Sequence, residues 1–522
     1  MTNPNGTPSR ELKGVGRTTP PPAATNGTPS RGLLQNLAGR AMLARGLVPE
    51  FEPAALVELD AIRTPAVAAD TATRDLRSLP WCSIDNDDSL DLDQLSVAEA
   101  RPGGAAKILV AIADVAAVVN PGSALDHHAR ANTTTVYTAA RIFPMLPEKL
   151  STNLTSLNLE ADRLAMVIEM VFDADGALTG SDIYPATVRN RAKLAYNSVA
   201  AWLEGTGPAP AAVDAVAGLA DNLKLQHRVA SRLAAIRHQH GALSLETLKT
   251  RPVFDHDVLK GLEVDAANTA KRLIEDLMVA SNGVTARYLG DRNFPSIRRV
   301  VRVPKHWNRI VELAAESGTT LPNDPDQRAL EGFLLSAKAR DPAGFAELSL
   351  CVIKLLGAGE YVLELPGEPV AGHFGLAVRD YSHSTAPNRR YPDVITQRLL
   401  KAALSGRPPP YANDELAWLA RHCTEQEDAA KKVERQVDKS AAALLLRASI
   451  GRQFDATVTG VTDRGIFVRL AEPPVEGKLD SGPAGLQVGD RLCVKLASTD
   501  VERGYIDFIG CGERLKPRAR GV

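Results

Sequence analysis

The chain has 522 residues, 44% hydrophobic and 24% charged, a composition that suits a soluble globular protein of roughly two to four domains. Its formal charge of −1 excludes a global electrostatic footprint for a polyanion, so any nucleic-acid site must be local. The five cysteines are scattered and never spaced as CxxC, which argues against structural zinc and for a reducing compartment, and no apolar run approaches the ~20 residues that span a bilayer.

Residues 1–32 are rich in Pro, Gly, Thr, Asn and Ser and repeat NGTPSR at 5–10 and 26–31; they read as a disordered tail. Over 33–73, LLQNLAGRAMLARGL and PAALVELDAI predict two short amphipathic helices. Residues 74–448 show no linker and predict one large α+β domain. Within it, 107-KILVAIADVAAVV-119 reads as a buried strand and its exit, 163-RLAMVIEMVFD-173 as another strand, and 268–289 and 413–446 as long helices. From Phe454, FDATVTGVTDRGIFVRL alternates with period two through a DRG turn, and DRLCVKLAS and GYIDFIG add strands. Five short strands over 449–515 predict a small closed barrel of OB type, followed by a basic tail at 516–522.

The segment 85-DNDDSLDLDQL-95 packs five carboxylates into nine residues. An EF-hand is excluded, because loop positions six and twelve counted from Asp85 hold Leu90 and Ser96 in place of Gly and Glu. A solvated acidic loop is the common fate of such runs, but Leu90, Leu92 and Leu95 interleave with the acids. If 89–93 is extended, Asp91 and Asp93 share one face while Leu90 and Leu92 pack on the other. A turn at 86–88 would return Asp85 to the same place. Hard oxygen ligands converging in this way suit Mg²⁺ or Mn²⁺ completed by water and a substrate phosphate. The histidines carry simpler readings: His127 and His128 enter a helix, and His238 and His240 lie on an exposed helical stretch.

Three blocks, 83-SIDNDDSLDLDQL-95, 137-YTAARIFPMLPEKLSTNLTSLN-158 and 381-YSHSTAPNRRYPDVITQRLL-400, resemble in order and spacing the RNase II/RNase R family, whose catalytic core is the RNB domain. VAIADV (110–115), PGSALD (121–126), RLIEDLMVASN (272–282) and HFGLAV (373–378) agree, so the likeness runs from about 75 to 445. The barrel resembles the ribosomal protein S-one type OB fold that commonly follows this core. The resemblance implies Mg²⁺-dependent hydrolysis of single-stranded RNA from the 3′ end to nucleoside 5′-monophosphates, with Mn²⁺ as the substitute metal. It also implies a cytoplasmic enzyme with no membrane and no obligate protein partner.

Residue by residue, it maps the metal-binding acids onto Asp85, Asp91 and Asp93, with Asp93 the residue most needed. Gln94 falls where the motif has a fourth Asp. The essential arginine, which follows S-P-I in the family, maps to Arg389 of APNRRYPD, with Arg390, Tyr381 and His383 beside it as RNA contacts. Tyr137 maps to the tyrosine against the terminal nucleotide and Glu434 to a glutamate of the late helix. Phe467 and Tyr505 are candidate base platforms on the barrel, whereas Leu245 stands where an RNA-stacking aromatic is expected. No cold-shock barrels are visible ahead of the core. Gln94 brings an oxygen without a charge, which should weaken metal binding unless Asp87 or Asp88 compensates. An active exoribonuclease is the favoured reading. The alternatives are a nuclease-dead RNA-binding regulator, a short-oligoribonucleotide exonuclease and, more weakly, a phosphohydrolase of small nucleotides.

Overall fold

The computed structural model describes residues 30–514 except 69–71, 247–248, 343, 369 and 463–464, so most of the predicted tail, the basic C-terminal tail and part of the DRG turn lie outside the described residues. Seven strands form the central sheet: β1 (Arg74–Asp75), β2 (Cys82–Asp85), β3 (Gln94–Ala100), β4 (Ala106–Ala113) and, after the small pair β5 (Val136–Tyr137) and β6 (Ile142–Phe143), β7 (Asp162–Phe172), β8 (Leu178–Arg189) and β9 (Ala192–Ala195). Their order is β1-β8-β7-β4-β3-β2-β9, antiparallel except at the two edges, where β1 runs parallel to β8 and β9 parallel to β2. Ile108, Val110 and Ile112 of β4 face one core, and Leu109, Ala111 and Ala113 face a second. Burial on both faces is why this strand reads as a continuous apolar run and not as an alternation.

Two helices precede the sheet, α1 (Ser30–Leu43) and α2 (Pro53–Ala61). The first begins at Ser30, inside the span expected to be disordered. The Ser30 hydroxyl donates to the Asp257 carbonyl at 2.9 Å and accepts the Leu259 N–H at 2.8 Å. This tertiary anchor on the pair β10 (Lys249–Asp255) and β11 (Val258–Asp265) leaves no trace in local composition. The helices α3 (Ala124–Asn132), α4 (Tyr196–Leu203), α5 (Ala211–Asp214), α6 (Leu219–Gln239) and α7 (Thr269–Asp291) follow the sheet strands. The predicted helix at 268–289 is α7, capped by the Asn268 side chain on the Lys271 N–H at 2.9 Å. Helices α8 (Trp307–Glu316), α9 (Gln327–Arg340) and α10 (Phe345–Leu356) share a separate core, flanked by the pair β12 (Ser296–Val300) and β13 (Glu360–Glu364).

Helix α11 (Tyr391–Leu404) leads into the long α12 (Asn413–Leu446). The last turns of α12 enter the barrel: Ala442, Ala443 and Leu446 pack in one cluster with Val458, Val468, Leu492, Val494 and Phe508. The predicted five-stranded barrel is present and closed, with β14 (Gln453–Thr462), β15 (Gly465–Leu470), β16 (Glu476–Ser481), β17 (Arg491–Asp500) and β18 (Tyr505–Arg514) in the order β14-β15-β16-β18-β17. Among the described residues no helix is long and apolar enough to cross a membrane.

Candidate active site

Because β2 and β3 are antiparallel neighbours, the loop between them returns on itself, and Asp85 at the end of β2 stands beside Gln94 at the start of β3. Gln94 Nε2 donates to Asp85 Oδ1 at 3.2 Å. The loop opens with a turn in which the Ser89 N–H reaches the Asn86 carbonyl at 3.1 Å, leaving Asp87 and Asp88 exposed. Leu90, expected to pack, is 60% exposed, whereas Leu92 is 1% exposed. The difference lies in the anchoring: Leu92 gives its N–H to Ser156 Oγ at 3.0 Å and takes the Leu157 N–H at 3.0 Å. Burial of the loop starts at that pair, and 90–93 is irregular backbone tied to the sheet at Asp93, whose carbonyl accepts the Ala113 N–H of β4 at 3.0 Å.

Asp93 is only 2% exposed. Its Oδ1 accepts the Asn388 backbone N–H at 2.9 Å and its Oδ2 accepts Arg389 Nε at 3.3 Å. The loop carrying Arg389 is tied to the segment before Tyr137: the Thr135 N–H reaches the Arg389 carbonyl at 3.0 Å, and the Tyr391 N–H reaches Thr133 at 2.8 Å. Tyr137 in turn donates its hydroxyl to Asp91 Oδ2 at 3.1 Å and its N–H to Glu434 Oε1 on α12 at 2.9 Å. Asp85, Asp91, Asp93, Gln94, Tyr137, Arg389 and Glu434 thus meet from distant parts of the chain. Among the described residues the terminal Nη groups of Arg389 make no hydrogen bond.

Burial pushes Asp85 up to about 6 and Asp93 up to about 7; Arg389 pulls both down, and the charge of Asp91 raises both. Asp85 Oδ2 is buried and has no hydrogen-bond partner. Hard carboxylate oxygens, one of them orphaned, have the chemistry of a divalent-cation site. Among the described residues, however, no three His, Cys, Asp or Glu side chains are grouped to hold one ion. Asp93 gives one acceptor site of each oxygen to Asn388 and Arg389, and Asp85 one to Gln94, so each carboxylate keeps lone pairs for a cation.

Of the other candidates, Arg390, His383 and Tyr381 are turned to protein partners. Arg390 forks onto Asp393, with Nε to Oδ2 at 2.9 Å and Nη2 to Oδ1 at 2.8 Å. His383 Nδ1 lies 2.8 Å from the Tyr361 hydroxyl, and the Tyr381 ring stands edge-on to both His373 and His383. Phe467 alternates with the core residues Val468 and Ile466 and so faces outward from the barrel, and Tyr505 is 57% exposed. Leu245 packs on the α8–α10 core. His127 and His128 lie in α3; His238 is half-exposed and lies 3.1 Å from Glu331.

Two residues were missed. The fully buried Asp393 takes the Ala386 N–H at 2.8 Å as well as the Arg390 fork, closing the loop that carries Arg389. Its signal was in RRYPD, an acid three residues after an arginine in the first turn of a predicted helix. Asn388 is buried and accepts the Thr155 hydroxyl at 2.6 Å, a contact across 233 residues that no local pattern announces.

The RNB domain family matches residues 73–406, and the RNase II-type exonuclease C-terminal S1 domain matches 452–509. Ribonuclease R of Escherichia coli (strain K12) is 30% identical over 484 residues, 86% of this chain and 58% of its own length, so the chain spans less than two thirds of that relative. Ribonuclease R 2 of Lactococcus lactis subsp. lactis is 30% identical over 503 residues, 90% of this chain and 74% of its own. The structure of Mycoplasma genitalium RNase R in complex with ribose methylated single-stranded RNA has the same fold, with a TM-score of 0.81 at 24% identity, covering 91% of this chain and 78% of that one. With the RNB match over most of its length and the S1 match on its barrel, the chain belongs to the RNB-domain family of RNase II type.

Proposed function

We propose that the chain is a hydrolytic exoribonuclease that removes nucleoside 5′-monophosphates from the 3′ end of single-stranded RNA. The observation that carries this reading is the Asp93–Arg389 pair, in which a buried carboxylate holds Nε and leaves the terminal amines open beside two further acids and Tyr137. Phosphodiester hydrolysis needs a water in line with the departing 3′-oxygen and neutralisation of the charge that builds on the phosphoryl oxygens. Arg389 would receive those oxygens on its Nη groups, aimed by Asp93. Asp85 through its orphaned Oδ2, with Asp91 and Asp93, would hold Mg²⁺ or Mn²⁺. Bound there, the cation supplies water activation and further charge neutralisation. Tyr137 is 42% exposed and would offer its ring to the terminal nucleotide, its backbone fixed by Glu434.

The single-stranded RNA in the Mycoplasma genitalium complex supports the substrate class, and the outward Phe467 and Tyr505 support a path for the incoming strand. The proposal includes a reducing, cytoplasmic setting, supported by five cysteines that are all free.

The test follows a 5′-labelled single-stranded RNA with Mg²⁺, with Mn²⁺ and with EDTA. A ladder shortening to a small end product, and lost in EDTA, is the expected result; its end point also separates a general exonuclease from one confined to short oligonucleotides. Tight binding without shortening in either metal would establish the second reading, a nuclease-dead regulator. That reading has one observation in its favour: the neutral Gln94 amide occupies Asp85 Oδ1.

Gln94→Asp gives a readout that does not depend on turnover. A carboxylate beside Asp85 repels it when no cation is present. The variant should therefore melt below the parent protein in EDTA and gain more from added Mg²⁺, because a ligand bound only by the folded state raises stability with its concentration. Melting temperatures indifferent to Mg²⁺ in both proteins would count against a cation at this loop.

A further inference from the structure

Cys82 and Cys423 are buried in the core of the large domain, but two other thiols meet on the barrel. Along β17 and β18, Leu496 lies opposite Phe508, Lys495 opposite Ile509 and Val494 opposite Gly510. Between Val494 and Leu492 the register steps, because Leu492 meets Arg514, so Cys493 on one strand faces the 511–513 stretch on the other, which Cys511 opens. Leu492 and Val494 point into the barrel core, so Cys493 between them points outward. Both thiols are half-buried, and their side chains interact directly. Neighbouring strands of a sheet lie about 4.7–4.9 Å apart. That separation lies inside the window of about 4.4–6.8 Å that a disulfide requires.

We propose that Cys493 and Cys511 are a redox-convertible pair, in which exchange with a low-molecular-weight disulfide closes a cross-strand bond that fastens the end of β18 to β17. Burial and the neighbouring thiol push Cys493 up to about 11, which makes it a poor first nucleophile. The opening attack is therefore assigned to Cys511. Its thiolate attacks one sulfur of the small disulfide, that S–S bond breaks, and the departing thiolate leaves with the electron pair and takes up a proton. Cys493 then gives up its proton and attacks the Cys511 sulfur of the mixed disulfide, displacing the second small thiolate. Two protein thiols are oxidised, one small disulfide is reduced to two thiols, and no metal or water is consumed. The bond would enclose residues 494–510 and secure the last strand at the step in register.

The experiment incubates the reduced full chain in buffers of reduced and oxidised glutathione, quenches with an alkylating agent and maps the peptides without reduction. Expected is one intrachain Cys493–Cys511 link in a monomer, with both thiols lost together and a higher melting transition. Cys493→Ser should stop at glutathione on Cys511 and show no rise in melting. Glutathione resting on Cys511 in the parent protein, a link to Cys351 or a link between two chains would overturn the proposal. The assay contains no RNA, so its outcome is independent of nuclease activity.

Discussion

Arg389→Ala should lower turnover by about 10²–10³-fold, the loss typical of removing one donor aimed at developing charge, while RNA binding falls much less. The expectation rests on how the guanidinium is divided: Nε is on Asp93 and the Nη groups carry no partner among the described residues. A ground-state contact to RNA would be shared with the barrel and other surfaces, whereas charge appearing at the scissile phosphate would meet only Arg389 and the cation. Arg389→Lys should resemble alanine more than arginine, since a single ammonium cannot bond Asp93 and a phosphate in two fixed directions. Single-turnover shortening of a labelled RNA, set beside equilibrium binding of the same RNA, separates the two effects. An alanine variant within a few-fold of the parent protein in turnover would remove Arg389 from the phosphate.

Asp393→Ala should cost about 3–5 kcal/mol of stability, because it leaves the Arg390 guanidinium without its buried partner. It also releases the Ala386 N–H, which Asp393 holds at 2.8 Å, and with it the turn that presents Asn388 to Asp93 and Arg389 to the acid loop. Activity per folded molecule should therefore drop as well. Asp393→Asn keeps an acceptor for Ala386 and should recover part of that activity while remaining less stable than the parent protein. Urea unfolding measures the first effect and turnover corrected for the folded fraction measures the second. An alanine variant that unfolds at the parent's midpoint would show that Arg390 finds another partner.

How much of this was legible in the sequence follows from the distance over which each feature is decided. The buried strands, the long helices and the barrel follow period and turn chemistry, which are local, and they appear where expected. The acid cluster was legible as a cluster. Its internal division was not, because Leu90 and Leu92 look alike in sequence while only the second is gripped by Ser156 and Leu157. Arg389 and Arg390 are likewise adjacent and chemically identical, and only the fold sends one to Asp93 and the other to Asp393. The start of α1 depended on Asp257, more than two hundred residues away. Period and composition cannot report contacts of that range.

Helix α12 has a mechanical consequence. It holds Tyr137 through Glu434 and, eight residues later, contributes Ala442 to the barrel core. At 1.5 Å per residue those two points are roughly 12 Å apart along one continuous rod. A linker would let the barrel swing and make its distance from Tyr137 a matter of chance. Here a change in that spacing must bend or break a helix, so the molecule carries a ruler whose graduations are its own residues.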